Sequence, residues 1–199
     1  IFNTPTPVHY KRALRDCIDL KRYTHSNSII AEIGPGGAAT TARMFLSSNN
    51  IKCYVLCDLP IVLLVAYYNM HRYLPGKSIH YINDSKDDII ARCKDNDIIL
   101  LPHYMANKLY SLNVDVYYNA YSLSEMRGYE IKEYIDIISS TGKYLLSENY
   151  LTSVNKCHIC NGAYRPLQPY IPNRYNIISQ EYRTKGNRTE DNLMTHYLV

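Results

Sequence analysis

The sequence predicts an α/β domain on a doubly wound, mostly parallel sheet that closes with an antiparallel hairpin. Three observations carry this expectation. Short β-branched runs alternate with helical stretches from residue 28 to residue 148, the pattern of successive βαβ units. The first strand runs into Gly34-Pro35-Gly36-Gly37 and then into an Ala/Thr-rich helix start. The last two strand-like runs, 175–183 and 193–199, have only the polar stretch KGNRTED between them, so they are expected to pair as a hairpin.

The elements follow in order. Residues 9–22 place Ala13, Leu14, Cys17 and Ile18 on one face at helical spacing, so a leading helix is expected to pack through that face. Residues 28–33 are a short β-branched strand, and 38–47 are the helix after the glycine turn. Residues 51–57 (IKCYVLC) form a second strand ending at Asp58. Pro60 suits the first turn of a helix over 61–74, which Pro75-Gly76 stops. Residues 78–82 read as a short strand. Ser85 is a candidate cap for a helix to Cys93, with Asp87 and Asp88 in its first turn. Residues 98–101 are an apolar strand stopped by Pro102. A strand over 114–121 leads into Ser122–Glu125, which fits a capping box for a helix to Ser140. Thr141-Gly142 ends that helix and 143–148 (KYLLSE) is the next strand. Residues 152–174 are rich in Pro, Asn and Gly and read as a long loop. No internal repeat is visible.

Composition sets the outer bounds. At 199 residues the chain is long enough for one domain with a proper core, and residues 1–199 are read as that single domain. A net charge of +4, spread along the chain, is too weak to argue for nucleic acid. Lys11, Arg12, Arg15, Lys21 and Arg22 read as a solvated helix face. The most apolar window, Ile61–Tyr68, is too short to span a bilayer, for which about 20 residues are needed. No signal-peptide pattern stands at the start, so a cytoplasmic protein with reduced thiols is expected. The chain opens on Ile1 and is expected to be a fragment or a processed form. Cys157 and Cys160 have CxxC spacing, but a zinc site needs further ligands that the sequence does not pair with them. The oligomeric state is not readable.

The glycine turn admits two cofactors. As a dinucleotide fingerprint, Gly34-Pro35-Gly36-Gly37-Ala38-Ala39 satisfies G-x-G-x-x-A, with Asp58 at the second strand end for a ribose. That reading makes the chain an NAD(P)-binding oxidoreductase or a non-catalytic nucleotide-binding module. As a loop for S-adenosylmethionine (SAM), it adds a use for Glu32, two residues before Gly34. SAM has no phosphates and carries positive charge, so an acid beside the turn serves its ammonium end. Gly34 and Gly36 let the backbone approach the methionine portion, and Asp58 accepts the two ribose hydroxyls. Leu101-Pro102-His103-Tyr104 is positioned to wall the adenine. The terminal hairpin replaces the second βαβαβ half that a dinucleotide fold needs, which favours SAM.

The segments EIGPGG (32–37), CDLP (57–60), LPHYM (101–105) and NAYSLSEM (119–126) together resemble the sugar O-methyltransferase family, a branch of the class I SAM-dependent methyltransferases. The resemblance covers about residues 28–150 and is weak beyond them. EIGPGG is shared with many SAM enzymes; the Asp-Leu-Pro and the N-x-x-S-x-x-E-M are more specific. The resemblance implies a seven-stranded sheet whose last strand is antiparallel. It also implies SAM as cofactor, S-adenosylhomocysteine (SAH) as product, and a small-molecule hydroxyl acceptor, named by the family as a saccharide. Gly37, Leu59, Pro102 and Asn119 join Glu32, Gly34, Gly36 and Asp58 as expected cofactor contacts.

Methyl transfer to an alcohol needs alignment and a general base within reach of the hydroxyl. His103, just past a strand's C-terminal end, is the leading candidate, with the alternative that it only lines the adenine pocket or caps the strand. Glu125 is a second, with the alternative that it only caps a helix with Ser122. Asn119 is a candidate to orient the acceptor or the sulfonium. Glu148, Asn149 and Tyr150 end the next strand at the same sheet edge and are candidates to bind acceptor hydroxyls. Tyr164, Arg165, Tyr170 and Arg174 are placed to let the long loop close over the site. No carboxylate pair with a suitably spaced Asn announces a catalytic Mg²⁺, so a metal-independent enzyme is expected.

Overall fold

The computed structural model describes residues 7–95, 97–150, 165–184 and 191–199. Eight strands form one sheet: β1 (Ile29–Ile33), β2 (Cys53–Asp58), β3 (Ile79–Tyr81), β4 (Ile98–Pro102), β5 (Val114–Ala120), β6 (Gly142–Tyr150), β7 (Asn176–Thr184) and β8 (Asp191–Leu198). Their order is β3-β4-β2-β1-β5-β6-β8-β7. The pairings from β3 to β6 are parallel, and β8 pairs antiparallel with both β6 and β7. The sheet is thus doubly wound and mostly parallel with a terminal antiparallel hairpin, as the alternation of elements implied. It has one strand more than the seven that the resemblance implied. β4, not β3, pairs with β2, and the three-residue β3 is added as the edge.

Helices cover both faces. Side chains of β1 alternate, so Ile29, Ala31 and Ile33 enter one core and Ile30 the other. The first core lies under α4 (Ile89–Asp95), a 3-10 segment (His103–Ser111) and α6 (Gly128–Thr141). The second lies under α1 (Pro7–Arg22), α2 (Thr40–Ser48) and α3 (Pro60–Tyr73). The near-continuous apolar runs of β1, β2 and β4 match strands buried on both faces.

Several local expectations change. The buried stripe of α1 runs through Ala13, Asp16 and Leu20; Leu14 and Ile18 are 54% and 53% exposed. The helix turns this way because buried partners satisfy its acids. Tyr118 Oη donates to Asp16 Oδ2 at 2.6 Å, and Asp19 Oδ2 lies 3.7 Å from the buried His196 Nε2 of β8. The cap of α4 is Asp88 rather than Ser85, since Asp88 Oδ1 accepts the N–H groups of Ile90 and Ala91. The helix expected over 122–140 is broken into a single turn, α5 (Ser122–Glu125), and α6. Glu130 Oε2 accepts the Arg127 N–H at 2.7 Å and caps α6, so Ser122 and Glu125 do not form the capping box. Cys157 and Cys160 lie outside the described residues. Among the described residues, no helix is long and apolar enough to cross a membrane.

Candidate functional site

The C-terminal ends of β1, β2, β4 and β5 meet at one edge. Ile33 is in register with Cys57 and with Asn119, and Asp58 with Pro102. The chain order reverses between β1 and β5, the switch point at which doubly wound sheets bind ligands. A cavity of about 550 Å³ opens there, walled by Gly34 after β1, Asp58 at the end of β2 and Leu59 after it, His103 after β4, and Glu125 after β5.

The glycine turn is shaped by backbone requirements. Gly34 and Gly36 have φ of +70° and +66°, the left-handed region that glycine enters without penalty. A Cβ on Gly34 would also collide with the Ser122 side chain, whereas a Cβ on Gly36 would meet nothing within 4 Å. The turn therefore presents open backbone at Gly36. Gly37 packs inward, where a Cβ would come 2.9 Å from Val65.

Asp58 fastens this turn to β2. Its Oδ2 accepts the Gly36 N–H at 3.0 Å and its Oδ1 accepts the Leu59 N–H at 2.7 Å. Burial raises the Asp58 carboxyl above its ordinary value, while those two N–H groups and nearby His103 act in the opposite sense. Each oxygen keeps acceptor capacity for a ligand hydroxyl. Leu59, half exposed, and His103, exposed, stand on the cavity wall; the His103 ring meets Tyr104 edge-on at 5.7 Å.

Other expected residues lie behind the wall. Glu32 is buried and Tyr54 Oη donates to its Oε2 at 2.9 Å. Burial pushes the Glu32 carboxyl up to about 8, against the pull of the Tyr54 hydrogen bond. Pro102, the last residue of β4, is buried and is not among the described lining residues. Asn119 is fully buried and spent on internal bonds. Its Nδ2 donates to the Ile33 carbonyl at 2.8 Å and to Ser122 Oγ, and its Oδ1 accepts from Asn149 at 2.9 Å. Ser122 Oγ donates to the same Ile33 carbonyl at 2.7 Å. The N-x-x-S of the resemblance therefore ties the end of β5 to the end of β1.

Glu148 and Asn149 are likewise internal. Tyr121 Oη donates to Glu148 Oε1 at 2.5 Å, and Asn149 bonds Asn119, Ser147 and the Ser124 N–H. The Tyr150 side chain, Tyr164 and most of the expected loop lie outside the described residues. Its described end docks on the α5–α6 junction, where the Arg165 N–H donates to the Ser124 carbonyl at 2.8 Å and Tyr170 packs beside Gly128.

The sequence reading missed one wall. Tyr129, Glu130, Glu133 and Tyr134 of α6 line the cavity, with Asn107 of the 3-10 segment, joining the expected Tyr104. Their spacing was the available signal: 129 with 133 and 130 with 134 are one-turn pairs on a single helix face. Arg12, read as part of a solvated face, is half-buried, with its guanidinium 5.2 Å from the Tyr121 ring centroid and 3.8 Å from Asp16. Among the described residues, no group of three or more His, Cys, Asp or Glu could hold a metal ion.

No protein-family model and no curated protein matches the sequence. Solved structures do match the fold. The N-methyltransferase NodS from Bradyrhizobium japonicum WM9 superposes with a TM-score of 0.64 at 12% identity, over 97% of both chains. Magnesium protoporphyrin IX methyltransferase (ChlM) from Synechocystis PCC 6803, with bound SAH, gives a TM-score of 0.67 at 10% identity, over 100% of this chain and 89% of that one. Mitomycin 7-O-methyltransferase MmcR gives 0.55 at 12% identity, over 94% of this chain and 54% of that one. The fold is that of the class I methyltransferases.

Proposed function

We propose that the chain is a SAM-dependent methyltransferase acting on a hydroxyl of a small molecule, with SAH as product. The observation that carries the reading is the bond from the Gly36 N–H to Asp58, a residue that lines a cavity of about 550 Å³, on a sheet that ends in the antiparallel hairpin. The structures it resembles include one crystallised with SAH, and their acceptor atoms differ, so the fold alone favours neither nitrogen nor oxygen.

The residues fit the group. Asp58 offers two acceptor oxygens for a ribose diol, Gly36 leaves open backbone, and His103 with Tyr104 offers ring surface for a purine. SAM supplies a methyl carbon activated by its sulfonium; transfer forms an O–C bond, breaks the S–C bond and releases a proton from the acceptor hydroxyl.

The rest falls to the chain. His103 stands exposed on the cavity wall, where an imidazole nitrogen can accept the departing proton. Glu125 lines the same cavity and is the second candidate base. Asn119 acts through position: by holding Ile33 it fixes the distance between the ends of β1 and β5. The cavity wall serves to align the acceptor with the methyl group. A saccharide remains the acceptor that the motif resemblance favours. The test is a screen of hydroxyl acceptors with methyl-labelled SAM, read as labelled product and SAH. Labelled ether in a polyol supports the reading; label found only on amine or ring nitrogens overturns the hydroxyl assignment.

A further inference from the structure

Tyr121, buried between the end of β5 and the start of α5, has a φ of +71°. A bulky side chain makes that backbone costly, and it persists only where the surroundings hold it. Here they hold it from several sides. The Tyr121 N–H donates to the Glu148 carbonyl at 2.7 Å, and Tyr121 Oη donates to Oε1 of the same residue at 2.5 Å. Both ends of the tyrosine are thereby fastened to β6. The Arg12 guanidinium of α1 lies 5.2 Å from the ring centroid, a cation–π contact, and Arg12 is itself 3.8 Å from Asp16. On the other side, the Tyr121 carbonyl accepts the Ser124 N–H at 3.1 Å and Ser124 Oγ at 2.6 Å.

The kink delivers Ser122. A sharp turn directly after Ala120 brings the chain back over the end of β1. There Ser122 Oγ donates to the Ile33 carbonyl at 2.7 Å, and its side chain fills the space that a Cβ on Gly34 would need. An extended or helical backbone at position 121 would carry Ser122 away from β1. The glycine turn is therefore braced twice, from β2 by Asp58 and from β5 by Ser122. Neither Tyr121 nor Glu148 is among the described residues that line the cavity, so both act on it through others.

This inference rests on the methyltransferase reading and deepens it. We propose that Tyr121 is a positioning residue of the cofactor site: clamped by Glu148 and Arg12, its left-handed backbone holds Ser122 against Gly34 and so sets the turn that takes the methionine portion of SAM. Because Arg12 belongs to α1, the leading helix is tied to cofactor binding through the Tyr121 ring.

The test uses the full chain and two variants. Tyr121→Phe removes only the Oη bond. Tyr121→Gly accepts the backbone freely but loses the ring and the hydroxyl. The first readout needs no ligand: hydrogen exchange at the Gly34 and Gly36 amides, which bond the Cys57 carbonyl and Asp58. Both variants are expected to speed that exchange about tenfold while the amides of α4 keep their rates. The second readout is SAH affinity by calorimetry, expected to fall about tenfold in Tyr121→Phe and further in Tyr121→Gly. In the third, Ser122→Ala is added to each. The combined loss should be smaller than the product of the single losses, because Ser122 carries the effect of Tyr121. Unchanged Gly34 and Gly36 exchange in Tyr121→Phe, SAH affinity within twofold of the parent, or losses that multiply independently would each overturn the proposal. Tyr121→Phe carries all three readouts by itself where Tyr121→Gly does not fold. Absence of SAH binding by the parent chain removes the methyltransferase reading, and the exchange rates still decide whether Tyr121 braces the glycine turn.

Discussion

Asp58 Oδ2 accepts the Gly36 N–H at 3.0 Å, so the acid that ends β2 also holds the turn that ends β1. One side chain thereby holds the shape of the glycine turn and, in the proposed function, also accepts the ribose diol. Asp58→Ala removes the acceptor for two backbone N–H groups and for the ligand diol. Hydrogen bonds to a charged group are worth about 1.5–3 kcal/mol, so SAH affinity should fall about tenfold to a hundredfold. Asp58→Asn keeps one acceptor oxygen and should fall between parent and Ala. Calorimetric titration with SAH checks the order; Asn weaker than Ala would show that the carboxylate does not act as an acceptor here.

Gly34 is constrained twice, by a φ of +70° and by Ser122 beside its Cα. Gly34→Ala should cost the left-handed penalty of about 1–2 kcal/mol and also displace Ser122 from the Ile33 carbonyl. Gly76 gives the control, with a φ of +92° and open space around it. Thermal melts of the two alanine variants should show the larger drop for Gly34→Ala, with SAH binding lost in that variant only.

The buried Glu32 makes stability depend on pH. Its native carboxyl is pushed up to about 8 from an ordinary value of 4.5. Between those values the folded chain holds a proton that the unfolded chain has released. Stability is therefore greatest below 4.5 with respect to this group, falls as pH rises toward 8, and levels off above it. The slope is at most about 1.4 kcal/mol per pH unit. Glu32→Gln keeps an acceptor for Tyr54 and cannot ionise, so urea unfolding between pH 5 and pH 8 should lose this part of the slope. An unchanged slope would assign the titration to another group.

His103 is exposed and makes its case by position alone. His103→Ala should lower turnover about 10²- to 10⁴-fold while leaving the melting temperature within a degree or two. Turnover within twofold of the parent would remove it as the base and turn attention to Glu125.

The fold was legible because βαβ alternation and a helix-free terminal strand pair leave few topologies open. Asp58 and His103 were legible because a residue just past a parallel strand's C-terminal end reaches the sheet edge whatever the rest of the fold does. Orientation at that edge was not. Asn119, Glu148 and Asn149 also sit at strand ends, yet they turn into the bonds that join β1, β5 and β6. Leu14 and Ile18 looked like the buried face of α1 because apolar spacing was the only guide. The buried bond from Tyr118 to Asp16, with Asp19 facing the buried His196 at 3.7 Å, rotates the helix instead. The α6 wall was hidden because which stripe of a helix faces a cavity depends on how the helix docks. Here the break at Met126–Arg127 sets that docking.

Calorimetric titration of SAH into the full chain, with NADH in a parallel titration, tests the central claim most directly. One SAH bound per chain, weakened by Asp58→Ala, with no heat from NADH, is the expected result. Saturable NADH binding with none for SAH would contradict the account.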